Sequence, residues 1–208
     1  VAADSPTLYR TLPVVTEPTH WNQDVTNDFL RKLRELDYKT GIFSYDDEAS
    51  MPFQVFSHGW TLDGKAEIDA FRSFIYARAG KHKAVWLPTF TPDIELAIAY
   101  QSADAYMDVQ HGMIAQHLWG HVNRKDIRIE TVSGNVYYRR ITDVDVIDAD
   151  TERLTISSAL GENIALDEVR RISWMSIARL NSDSIQFKWR HDDWLECSAN
   201  WKTVRDDV

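Results

Sequence analysis

The chain has 208 residues, 44% of them hydrophobic and 12% aromatic, enough apolar material for one large or two small domains and too much for a disordered chain. Its net charge of −9 argues against phosphate-backbone binding as the main activity, because such binders concentrate lysine and arginine. The single cysteine, Cys197, rules out an intrachain disulfide framework, and no apolar run approaches the roughly 20 residues that cross a membrane as a helix.

The N-terminus, VAADSPTLYR, has no charged region followed by an apolar one, so no signal peptide is expected. The lack of an initiator methionine fits trimming or a longer parent chain. Residues 1–25, with Pro6, Pro13 and Pro18, read as an extended arm rather than a packed element. In VTNDFLRKLRELDYKTG, Val25, Phe29, Leu33 and Leu36 fit a helix, while Phe29, Arg31, Leu33 and Glu35 fit a long strand; the β-like continuation favours the strand. TGIFSYDDEASMPFQVFSHGW predicts two strands joined by an acidic turn at Asp46 to Ser50.

An amphipathic helix follows over 64–79. Asp63 is its expected N-cap, and Ile68, Phe71 and Ile75 share one face with Phe74 beside them. Gly80 suits a left-handed helix end, after which Lys81, His82 and Lys83 complement the negative end of the dipole. AVWLPTF is a short apolar strand whose exit is marked by Pro88 and Pro92. A boundary near 91–93 therefore separates a β-domain with one helix (26–92) from a β-rich sandwich or barrel (93–208).

Beyond it, DIELAIAYQSADAYMDVQ holds one or two strands and HGMIAQHLWGH is a short apolar piece of open type. From Lys125 the alternation is clear, with turns at Ser133-Gly134-Asn135, Asp148 to Thr151, Asn181-Ser182-Asp183 and His191-Asp192-Asp193. The fold class is mainly β (α+β): a β-sandwich or split barrel with one packed helix, plus a second small β-domain.

Chemistry-bearing patterns are sparse. His111, His117 and His121 lie close in sequence, but HLWGH lacks the glutamate of a metalloprotease helix, so they read as loop histidines and no metal is expected. Asp143, Asp145, Asp148 and Asp150 alternate with valines as the polar face of a strand, without the glycine of a calcium loop. No nucleophile elbow, phosphate loop or dinucleotide fingerprint occurs; no enzyme activity and no cofactor are expected. Cys197 alternates into the apolar positions of a strand, as a buried small hydrophobe does. Among eight tryptophans, Trp174 and Trp189 read as core, and Trp194, at a turn beside Asp192 and Asp193, reads as exposed and able to stack on a sugar or anchor an interface.

HGWTLDGKAEIDAFRSFIYARAGKHKAVWLPTF resembles the distal tail and minor tail-tip (baseplate) proteins of tailed bacteriophages, through Trp60, Phe71, Phe74, Ala77, Arg78, Gly80, Trp86, Leu87 and Pro88. YYRRITDVDVIDADTERLTI and RISWMSIARLNSDSIQF are similar to the second half of such virion proteins. The resemblance spans residues 26–90 and 125–204. It implies a tail-tube-like fold and a non-catalytic ring of three or six subunits, assembled in the host cytoplasm and built into the virion. Such a ring joins the tail tube to the baseplate hub or fibres, with an acidic lumen that DNA crosses without being held. The expected interface residues are Arg72, Arg78, Lys81, Lys83, Asp46, Asp47, Glu48 and Trp194. The alternative expectation is a carbohydrate-binding β-module for host-receptor recognition, with Trp194 or Trp201 at a shallow groove. A hydrolase using His117 or Asp145 has no positive signal.

Overall fold

A computed structural model describes residues 6–20, 26–37, 39, 41, 43–47, 52–121 and 123–205. In chain order these form strands β1 (Leu8–Tyr9), β2 (Leu12–Pro13), β3 (Thr26–Leu30), β4 (Leu33–Asp37), β5 (Phe43–Asp47) and β6 (Phe53–Asp63), then helix α1 (Lys65–Ala77). They continue with β7 (Val85–Pro88), β8 (Tyr106–Gln110), β9 (Asp126–Thr131), β10 (Val136–Val146), β11 (Thr151–Ile156), β12 (Val169–Leu180), β13 (Gln186–Trp189) and β14 (Trp194–Thr203). The architecture is mainly β, with one α-helix among the described residues, consistent with a β-sandwich carrying a single helix. No described helix is long and apolar enough to cross a membrane.

The chain divides into two compact units, one containing Thr16–Val85 and Ala178–Val204, the other Thr7–Val15 and Trp86–Ile177. A single boundary near residue 92 does not describe this division. The C-terminal strand β14 pairs with β6 over nine residues, from Trp194↔Asp63 to Lys202↔Val55, and so returns to the first unit.

In the first unit, β3 and β14 flank β6, and the far edge of β14 is shared by β13 and the last residues of β12. The region open between helix and strand is β: β3 and β4 are separate strands broken at Arg31 and Lys32. Side chains alternate across β6 and β14 as the pleat requires. Phe56, His58, Trp60 and Leu62 face one way with Leu195, Cys197, Ala199 and Trp201, all buried. The helix lays its buried stripe, Ile68, Phe71 and Ile75, on this face, with the rings of Trp60 and Phe71 5.1 Å apart. Its N-cap is Gly64 at φ 83°, not Asp63; the Glu67 carboxylate reaches back to accept the Asp63 N–H (3.1 Å). At the other end Ala79 and Gly80 both take positive φ. Burial pushes the Cys197 thiol up to about 12, which makes it the inert small hydrophobe expected.

In the second unit the ladder runs β12-β9-β10-β11-β8. Strand β9 is buried along its whole length. Ile127 and Ile129 face an apolar core with their cross-strand partners Trp174 and Ile172. Its opposite face is polar, and each of its charged side chains is paired. Asp126 accepts from Arg140 (2.8 and 3.1 Å) and from the Tyr9 hydroxyl (2.8 Å); Glu130 accepts from Arg128, Arg170 (2.9 Å) and Arg171 (2.8 Å). Burial alone would raise the Glu130 carboxyl, but the hydrogen bonds from Arg128 and Arg171 hold it below its ordinary range. Residues 7–15 are packed here, against the expectation of an extended, unpacked arm over 1–25; residues 1–5 and 21–25 lie outside the described residues. Tyr9 sits between Trp86 (5.3 Å) and Tyr138 (5.7 Å), and Val14 and Val15 are buried. HGMIAQHLWGH contains a short π-helical turn, Ile114–Leu118. The fully buried Glu152 anchors its start by accepting the N–H groups of Gly112, Ile114 and Ala115 (3.2, 2.9 and 3.0 Å).

Two stability predictions follow from the first unit. A Cβ on Gly80, at φ 63°, would lie 2.5 Å from Asp183 Oδ1 and 3.2 Å from Asp183 Cα. Gly80→Ala is expected to lower unfolding free energy by about 1–3 kcal/mol in urea titration, more than Gly134→Ala, whose φ is also positive but whose Cβ would meet open space. His58 is 1% exposed and burial lowers its pKa to about 4. In the unfolded chain this imidazole, titrating at about 6.5, takes up the proton first. Stability from this group is complete above the unfolded value and falls as pH drops toward the folded one, by about 3 kcal/mol. Comparing His58→Phe with the parent between pH 7 and pH 4 should isolate that loss.

Candidate functional site

The β6/β14 register that buries one face exposes the other. Trp194 pairs with Asp63, and Glu196 with Thr61, so these four side chains lie together on the face turned away from α1. The turn between β13 and β14 folds over the end of this face. Its path is held by three backbone bonds: Gly64 N–H to Asp193 O (2.8 Å), and Arg190 and His191 N–H to Trp194 O (3.0 and 3.3 Å). The result is a shallow cleft of about 540 Å³ lined by Thr61, Asp63, His191, Asp193 and Trp194. Trp194 is 44% exposed, as expected of it from the sequence. Glu196 is engaged by Arg190 Nε (2.9 Å).

The other expected residues do not converge on this cleft. Lys81 and Lys83 are exposed beyond the helix, whose last turn carries no basic residue; Lys81 pairs with Asp183 through its backbone N–H (3.0 Å) and its ammonium (3.7 Å). Arg72 lies half-buried on α1 over the Tyr76 ring (5.8 Å). Arg78 is only 8% exposed; it covers the Phe74 ring at 4.9 Å and donates to the Phe74 carbonyl (3.3 Å). It therefore closes the helix end rather than presenting a contact surface. Asp46 and Asp47 are the last residues of β5, not a turn, and Asp47 accepts from Arg31 Nε (2.8 Å). Glu48 lies outside the described residues.

Two tryptophans sit opposite to expectation. Trp189 is 52% exposed and Trp201 is 0% exposed. Trp201 pairs with Phe56 on the core face of β14. Trp189 pairs with Leu195 and so shares that face, but it lies on the short β13, which among the described residues pairs with β14 alone. His111, His117 and His121 do not gather. Among the described residues, the group of three ligand-type side chains that comes within 4.8 Å is His191, Asp192 and Asp193, all exposed. Thr61 and Asp63 were not found from the sequence, because their place in the cleft depends on a partner strand some 130 residues away; HDDW at the turn was the one local signal.

No protein-family model matches the chain, and no curated protein matches it in sequence.

Proposed function

We propose that this protein is a non-catalytic structural component of a tailed-phage tail tip, a ring-forming adaptor between tail tube and baseplate hub or fibres. The observation that carries this reading is the β4–β5 ribbon. It forms a separate two-stranded sheet, and an isolated two-stranded hairpin is marginally stable in water. Leu33, Phe43 and Tyr45 are all exposed on it. The register Leu33↔Asp47, Glu35↔Tyr45, Asp37↔Phe43 puts these three on one face of the ribbon. Strand β3, which precedes it in the chain, exposes Phe29 and Leu30.

Electrostatics favours a second copy as the cover. A chain of net charge −9 repels itself over most of its surface. Residues 31–47 carry Arg31, Lys32, Arg34 and Lys39 against Glu35, Asp37, Asp46 and Asp47, a balanced set. Here two copies meet at the least electrostatic cost. The remaining acidic surface suits a lumen through which DNA passes without adhering. The resemblance around Trp60, Phe71 and Gly80 supplies the family setting, and the tail-tube and hub neighbours follow from it.

Light scattering over a range of concentrations, followed by negative-stain imaging, tests the reading. Rings of three or six subunits are expected, and the triple variant Leu33→Ser, Phe43→Ser, Tyr45→Ser should reduce them to monomers with an unchanged thermal transition. A monomer at every concentration, or rings indifferent to the triple variant, would overturn the role given to the ribbon.

A further inference from the structure

The cleft at the end of β6 and β14 is lined by none of the ribbon residues. Its volume, about 540 Å³, falls in the range of small-ligand sites, about 300–1,000 Å³. Its floor is unusual for a surface: a large indole, 44% exposed, set directly opposite a carboxylate, Asp63, in the β-ladder. Around that ring stand a second carboxylate (Asp193), a hydroxyl (Thr61) and an imidazole (His191).

We propose that this cleft is a saccharide-binding subsite, with Trp194 as the platform for one sugar ring. A pyranose has an apolar face of C–H groups and a rim of hydroxyls. The first covers the indole and removes apolar surface from water. The second meets carboxylates that accept hydrogen bonds, a hydroxyl that both donates and accepts, and the His191 ring, whose Nδ1 is engaged by Asp192 Oδ1 (2.9 Å) and whose Nε2 is left to the ligand. Charge-assisted hydrogen bonds of this type are the stronger ones. Anionic ligands are disfavoured by Asp63 and Asp193. A cationic side chain finds one aromatic surface rather than the several-sided cage that binds such groups tightly, so the neutral polyol fits better. The turn is tied by backbone hydrogen bonds to Gly64 and Trp194, so little ordering cost falls on binding. The site faces away from α1 and needs no second copy to complete it.

The test is calorimetric titration of the full chain with a panel of neutral di- and trisaccharides built from glucose, galactose, rhamnose and N-acetylglucosamine, and in parallel with a Lys-Arg dipeptide. At least one saccharide is expected to bind, and Trp194→Ala to weaken it about tenfold, which is what loss of one well-stacked aromatic contact costs. Asp63→Asn and Asp193→Asn should each weaken it several-fold. Trp189→Ala, which removes an exposed tryptophan that does not line the cleft, should leave it unchanged. If Trp194→Ala lowers the thermal transition, Trp194→Phe decides: a several-fold loss with the smaller ring supports the site, and an unchanged affinity overturns it. A silent saccharide panel overturns the proposal, as does binding by the dipeptide alone. Because monomers and rings both carry the cleft, this outcome is independent of the assembly result.

Discussion

The nine-residue antiparallel register between β6 and β14 is the constraint on which the first unit depends. It joins strands that are distant in sequence and decides, residue by residue, which side chains face α1 and which face water. A slip of β14 by one position would turn Leu195 and Trp201 outward and bring Glu196 and Lys202 in. The buried area of those large side chains holds the register against such a slip. The cleft is a consequence of the same pairing: Trp194 stands opposite Asp63 because Trp201 stands opposite Phe56.

The second unit solves a different problem. Strand β9 is covered on both sides yet carries Asp126, Arg128 and Glu130 on one of them. Buried charge is tolerated only when it is paired and hydrogen-bonded. Arginines 128, 140, 170 and 171 and the Tyr9 hydroxyl meet that requirement. Glu152 meets it differently, through three backbone N–H groups at the start of the π-turn. These three carboxylates are thus committed to architecture, and the surface acidity relevant to a proposed DNA conduit comes from others, such as Asp143 and Asp145 on the exposed face of β10.

The assembly and ligand proposals draw on separate features of the first unit. The ribbon offers exposed apolar side chains with balanced charge, uncovered by the described residues. The cleft offers one aromatic ring ringed by acceptors. An adaptor with both could hold its neighbours through the ribbon while presenting the cleft to a sugar, a combination in which neither feature requires the other.

Period-two alternation and turn chemistry were legible from the chain alone. They locate β9 to β14, their turns, the burial of Cys197 and the exposure of Trp194, because these depend only on local pleating and on residues that favour turns. The helix stripe Ile68, Phe71 and Ile75 was equally local. Tertiary structure decided what depended on distant partners. The N-terminal stretch packs because Tyr9 finds Asp126, Trp86 and Tyr138. Arg78 leaves the surface because Phe74 lies beneath it. Trp189 and Trp201 lie on the same side of the sheet and separate because Trp201 is flanked by Phe56 and Leu180 in β6 and β12, whereas Trp189 stands on β13, whose described partner is β14 alone. Thr61 and Asp63 join Trp194 because β14 returns to pair with β6. Composition and period state which residues can be buried; the register between strands far apart in sequence selects the neighbours that each of them meets.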